Sequence, residues 1–190
     1  MAYVSLATPL GNILAEIFSR QAPLSAANFL RYVDEGWYEQ AAFYRVVRPD
    51  NGLRTPDLWA IQAGIDPTCR QPPLAPIAHE STRKTGLSHV SGSLSMARWE
   101  LGTAASEFFI LADNAPQLDH GGAYGDGYAV FGRVVEGMST VRTLNSMETS
   151  EVTRIPHWAE RAAGLEYMAD QAIVPVALRI GRTLLASRQQ

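Results

Sequence analysis

The chain has 190 residues, 46% of them hydrophobic and 18% charged, with a formal net charge of −3. That length suits one globular domain over residues 1–190, large enough to bury a sizeable core. A charge so close to zero gives no basic stripe for nucleic acid, and no run reaches the roughly 18 uninterrupted apolar residues of a membrane span.

Met1-Ala2 runs straight into Tyr3-Val4-Ser5-Leu6, without the basic and apolar segments of a signal peptide. This start fits a cytoplasmic protein, and equally a periplasmic one whose signal peptide has been removed. Residues 3–7 and 12–18 predict two strands of a hairpin, with Pro9 and Gly11 supplying the turn. Residues 24–35 predict a helix. Pro23 opens it, Leu24, Ala27, Leu30 and Val33 recur at helical spacing, and Gly36 stops it. Strands follow at 42–47 and 60–64. The turn-rich loop between them, 48–58, is expected to form a rim over the site beside it.

The second long loop, 65–92, holds Cys69, the only cysteine. A lone cysteine excludes an internal disulfide and every metal site that needs paired thiols. Runs at 93–98, 107–112, 128–135 and 173–181, rich in Val, Ile, Phe and Ala, predict four more strands. Between the last two, Met138, Val141, Leu144 and Met147 predict a helix over 138–147, and 157–169 a third, short one. The pattern predicts a mainly β fold: a closed eight-stranded antiparallel barrel with two capping α-helices.

Alternation along a strand decides which side chains share a face. Phe43, Arg45 and Val47 lie together, as do Glu107, Phe109 and Leu111; Ala60 and Gln62 form a third set, with Trp59 at the strand entrance. A closed apolar core does not accept an unpaired arginine, so the Arg45 face is expected to be the outer one. An arginine among ring-sized apolar side chains, with no nucleophile or metal cluster in support, suits one task. It can hold a small apolar ring and polarise the amide next to it. Taken singly, a strand arginine is most often a solvated surface residue.

The motifs taken together say more. Val4-Ser5-Leu6-Ala7-Thr8-Pro9-Leu10-Gly11-Asn12-Ile13 resembles the first hairpin of the cyclophilins, and Ala22-Pro23 with Asn28-Phe29-Leu30 resembles their first helix. Phe43-Tyr44-Arg45-Val46-Val47 is similar to their Phe-His-Arg strand, and Ile61-Gln62-Ala63-Gly64 to their Ile-Gln-Gly-Gly. Gly92 to Ala97, Ser106 to Ile110 and Tyr128-Ala129-Val130-Phe131-Gly132 complete the series. Leu118-Asp119-His120-Gly121 resembles the bacterial branch.

The resemblance implies a peptidyl-prolyl cis-trans isomerase that uses no cofactor and no metal. Its partners would be Pro-containing peptides and unfolded or flexible protein segments, met as a monomer, with neither nucleic acid nor membrane involved. By position, Arg45 takes the catalytic place and Gln62 that of the glutamine that binds substrate backbone. Phe109 is the floor of the proline pocket, Leu118 its apolar wall, and Ala97 the alanine beside the substrate. Trp59 stands where the family has a pocket phenylalanine, and Phe43 is grouped with the site through its shared face with Arg45. Four further substrate-contacting positions depart from the family. Ala60 replaces a methionine, Arg98 an asparagine, Glu107 a glutamine, and Tyr128 a histidine. Gln117 stands where many eukaryotic members have a tryptophan that contacts cyclosporin, which implies weak cyclosporin binding.

Two partners are expected for Glu107. Pairing with Arg45 would orient the guanidinium but compete with substrate, whereas pairing with Arg98 would leave the site undisturbed. Two rival functions are weighed. One is a cyclophilin fold that binds proline segments without useful turnover. The other is a hydrolase built on His89 or His120 with Ser91 or Ser93, although no nucleophile-elbow pattern surrounds either serine. His79, His89, His120 and His157 read as loop hydrogen-bonders.

Overall fold

The computed structural model describes residues 2–51, 57–65, 73–149 and 171–184. The expected helix at 157–169, Cys69 and His157 lie outside the described residues.

The first hairpin forms as expected, β1 (Ala2–Thr8) pairing antiparallel with β2 (Gly11–Ile17). Helix α1 (Pro23–Asp34) starts on Pro23, where the missing N–H leaves no helical hydrogen bond unmade. Its buried stripe is Ala26, Phe29, Leu30 and Val33, while Leu24 is 49% exposed. A strict three-residue spacing drifts off the core face because a turn takes 3.6 residues, so the stripe moves to i, i+3, i+4, i+7. Then come β3 (Ala41–Val47), β4 (Ala60–Ile65), the four-residue α2 (Thr82–Thr85), β5 (Ser93–Met96), β6 (Phe108–Leu111), β7 (Ala129–Glu136), α3 (Met138–Asn145) and β8 (Ala172–Thr183).

The strands close into an antiparallel barrel in the order β1-β2-β7-β5-β6-β4-β3-β8. Closure falls to β8, which pairs with β1 on one side and β3 on the other. Helix α1 links the end of β2 to the start of β3, whereas α3 follows the end of β7 and lies against the start of β2 and of β4. In an antiparallel barrel those are opposite mouths, so the two helices plug the two ends. At the α1 mouth the Phe29 ring packs on Tyr38, Phe108 and Phe131, with centroids 5.4, 5.3 and 4.9 Å away. At the other, Val141 and Leu144 are fully buried in the same core. Asn145 Nδ2 donates to the carbonyls of Val47 (3.1 Å) and Ala60 (2.9 Å), pinning the strand ends that flank the 48–58 loop.

One irregularity positions the site. Phe43 lies opposite Ala63 and Arg45 opposite Gln62, so Tyr44 is an extra residue in β3, a β-bulge. The bulge breaks the simple alternation. Phe43, placed with Arg45 in the sequence reading, is fully buried in the barrel core with Ala63 and Phe108. Arg45 and Tyr44 both reach the outer wall.

Candidate active site

Cross-strand pairing sets out the outer wall row by row. Arg45 of β3 faces Gln62 of β4, which faces Phe109 of β6, which faces Ser95 of β5. One step along, Val47 faces Ala60 and Ala60 faces Leu111. Val47, Ala60, Phe109, Leu111, Ala115 and Leu118 form a second apolar cluster outside the barrel, bordered by Leu58, Ala97, Tyr124 and Tyr128. The structure thus brings Arg45, Ala60, Gln62, Ala97, Phe109, Leu118 and Tyr128 to one face. Phe43 and Trp59 fall outside that cluster. Trp59 is half-buried against the main core instead, because it lies one residue from Ala60 and alternation turns it inward; Leu58 supplies the apolar border in its place.

The Arg45 side chain is held in a fixed plane. Its Nη1 donates to Gln62 Oε1 at 2.7 Å and its Nε to Gln171 Oε1 at 2.7 Å. Gln62 Nε2 donates in turn to the Tyr44 hydroxyl at 2.8 Å, and that hydroxyl donates to Glu107 Oε2. Ser106 Oγ donates to the other carboxylate oxygen at 3.3 Å. A third residue, Tyr44, therefore answers the expected choice between Arg45 and Arg98. The Glu107 carboxylate rests against the backbone of Gly64, where a Cβ would collide with it. Burial raises the Glu107 carboxyl to about 8, with the Tyr44 and Ser106 hydrogen bonds working against the rise. Burial, followed by the nearby Glu107, pushes the Tyr44 phenol well above its ordinary value.

Arg98 turns away from this row. Its guanidinium lies 4.9 Å over the Tyr128 ring and donates from Nε to the Gly127 carbonyl at 3.1 Å, with Nη2 donating to the same carbonyl. Gly127 sits at φ +67°, and any Cβ there would meet the Leu118 carbonyl, so a glycine is required just before Tyr128, where the chain leads into β7. Tyr128 packs edge-on against Phe109, with centroids 5.5 Å apart. At the rim, Gln117 Nε2 donates to the Asp57 carbonyl at 3.0 Å, tying the end of the 48–58 loop to the pocket. Residues 52–56 of the expected 48–58 rim lie outside the described residues.

Behind the pocket, His89 stacks near-parallel on Phe109, with centroids 6.2 Å apart. Its Nδ1 lies 2.6 Å from Asp119 Oδ1 and its Nε2 3.0 Å from Ser95 Oγ. An aspartate, a histidine and a serine in a line look like a hydrolytic triad, but Ser95 is fully buried and His89 nearly so. The set props the pocket floor instead. Ser91 and Ser93, the serines of the hydrolase reading, bond to carbonyls of Ala112 and Ser88. Sequence reasoning missed Tyr44, Ser95, Leu58 and Gln171 as site residues, and read His89 as a loop hydrogen-bonder. Tyr44 and Ser95 lay inside motifs it singled out, whereas the register of Ser95 with Phe109 emerges only from the pairing of β5 with β6.

A closed barrel with an arginine–glutamine pair bordering an apolar patch on its outer wall has the architecture of a cyclophilin barrel. The chain belongs to the family of cyclophilin-type peptidyl-prolyl cis-trans isomerases, whose model matches residues 3–160. It is accordingly an enzyme that catalyses rotation about X-Pro peptide bonds. Among its relatives, peptidyl-prolyl cis-trans isomerase A of Dickeya dadantii is 37% identical over 79% of this chain and 74% of its own length. Peptidyl-prolyl cis-trans isomerase-like 3 of Gibberella zeae is 36% identical over 80% of this chain and 86% of its own. In fold, the crystal structure of a cyclophilin from Cryptosporidium parvum, obtained in the presence of the dipeptide Ala-Pro, aligns with a TM-score of 0.71. That alignment covers 96% of this chain and 99% of the other at 22% identity.

Proposed function

We propose that Arg45 carries the isomerisation. The supporting observation is its fixed guanidinium plane beside the Phe109 pocket. The barrier to X-Pro rotation comes from amide resonance and stands at about 18–20 kcal/mol. Catalysis requires the twisted amide to be bound better than either planar form. Twisting localises a lone pair on the prolyl nitrogen. A guanidinium donor aimed at that nitrogen stabilises it, and arginine stays charged at every working pH. A charge-assisted hydrogen bond contributes about 1.5–3 kcal/mol, or one to two decades of rate. Backbone anchoring by Gln62 and desolvation in the pocket supply the remainder.

In this reading Phe109 floors the proline pocket, Leu118 and Tyr128 wall it, and Ala97 lies along the peptide. Ala60 leaves room that a methionine would fill, and Arg98 adds a charge at the rim. The substrates are Pro-containing peptides and flexible or unfolded protein segments, so the enzyme assists folding. It acts as a monomeric single domain over residues 1–190, in the cytoplasm. The tie between first and last strands, β1 and β8, supports one domain. The Leu118-Asp119-His120-Gly121 run and the relative from Dickeya dadantii support the bacterial branch. Gln117 in place of a tryptophan favours weak cyclosporin binding. The intact Arg45, Gln62 and Phe109 row speaks against a binding module without turnover.

The test is exchange spectroscopy on an X-Pro peptide. Arg45→Ala is expected to lower kcat/KM about ten- to a hundredfold. Equal rates in the two proteins would refute the assignment.

A further inference from the structure

We propose that Glu107 and Tyr44 are positioning residues that fix which way the Gln62 amide points, and through it the Arg45 guanidinium. The inference rests on the Arg45 reading and deepens it. Its basis is the direction of each hydrogen bond. An arginine can only donate, and an ionised carboxylate can only accept. Arg45 Nη1 donates to Gln62, so Gln62 must present Oε1 on that side. Its Nε2 then faces Tyr44 and donates. The Tyr44 hydroxyl, already an acceptor, has one proton left, and it goes to Glu107. With Glu107 ionised, both ends of the row dictate the same orientation, so a flipped Gln62 amide would be penalised at two links at once. A glutamine at position 107 could close the row through its carbonyl oxygen but would impose no direction, since its amide can also donate.

The bulge makes this possible. Regular alternation would send Tyr44 into the core, whereas the slip between Phe43 and Arg45 brings its ring beside Arg45. Gly64 leaves the space the carboxylate fills. Protonation of Glu107 loosens the lock, because a carboxylic acid can offer a proton to Tyr44 instead of taking one. The groups around the carboxylate are Tyr44 on β3, with Arg45 next to it along that strand, Ser106 beside it, Tyr38 in the 3-10 turn Trp37–Gln40 and Tyr32 on α1. Burial raises all three phenols, and arginine does not titrate in this range. A change in activity with a midpoint near pH 8 therefore reports Glu107.

The experiment measures kcat and KM by exchange spectroscopy on an X-Pro peptide, from about pH 6 to about pH 10. The proteins are wild type, Glu107→Gln, Glu107→Leu, Tyr44→Phe, Tyr44→Phe/Glu107→Leu and Arg45→Ala. Wild-type kcat is expected to rise through about pH 8. Glu107→Gln should have a flat profile, and Tyr44→Phe should lose about tenfold in kcat with KM little changed. In the Tyr44→Phe background, Glu107→Leu should cost nothing further, since the link it acts through is gone. Thermal unfolding separates a folded, slow variant from one that fails to fold, and the near-isosteric Glu107→Gln profile stands even if Tyr44→Phe is unstable. A pH inflection that persists in Glu107→Gln, or additive losses in the double variant, overturns the proposal. Full activity in Arg45→Ala would instead refute the reading beneath it.

Discussion

Gln171 is the residue the site could least do without notice of, since it holds Arg45 from the side opposite Gln62. It is fully buried, and its backbone carbonyl also accepts from Val46 N–H at 2.8 Å. Removing its side chain takes away the Nε anchor while that of Nη1 on Gln62 stays. Gln171→Ala is therefore expected to lower kcat about three- to tenfold, the worth of one net hydrogen bond, with KM nearly unchanged. A loss confined to KM would mean that Gln171 meets the substrate rather than Arg45. Residues of this kind escape a sequence reading for a physical reason. Gln171 is 126 positions from Arg45, and only barrel closure by β8 brings the two together. Tyr44 escapes for another reason, because alternation from Arg45 would turn it inward and a bulge has no signature in the residue types around it.

At the scale of elements, strand and helix order was legible and edges were not. The strand expected at 93–98 stops at Met96, where the chain turns so that Arg98 can reach Gly127. The one at 107–112 shortens to Phe108–Leu111, although Ala97 N–H still donates to the Glu107 carbonyl at 2.9 Å. The two plugging helices were found from spacing, but the ring that anchors α1 was read from a family motif, not from the spacing. Phe29 packs on three aromatic neighbours in the core. Phe29→Ala is expected to destabilise the fold by about 3–5 kcal/mol, seen in the denaturant midpoint. The peptide site, on the outer wall, should keep its KM while the protein remains folded. A cost under about 1 kcal/mol would show that the mouth collapses onto the gap instead of leaving a cavity.

For the whole molecule, two buried titrating groups bound the pH range of greatest stability. Burial holds His89 below its ordinary 6.5, with Asp119 opposing. The unfolded chain takes up that proton first, so the stability from neutral His89 is present above about pH 6.5 and lost as pH falls. Glu107 has the opposite sign. Its folded form keeps a proton up to about 8 against an ordinary 4.5, so its contribution is full below pH 4.5 and is lost as pH rises through 8. Thermal unfolding across pH should therefore give a dome for wild type. In Glu107→Gln the alkaline side should flatten while the acid side is unchanged. A wild-type alkaline fall retained in Glu107→Gln would assign it to another group.

The closed barrel has a consequence for the company this enzyme keeps. Its substrates are polypeptides with unsatisfied backbone groups, and such chains readily add themselves to any open row of strand N–H and C=O groups. A wall in which every strand has a neighbour on both sides gives a client nothing to extend. It can be gripped by a proline and a few polar contacts, turned, and let go. The same closure that solves a folding problem for the enzyme thus keeps it from becoming a seed for the chains it handles.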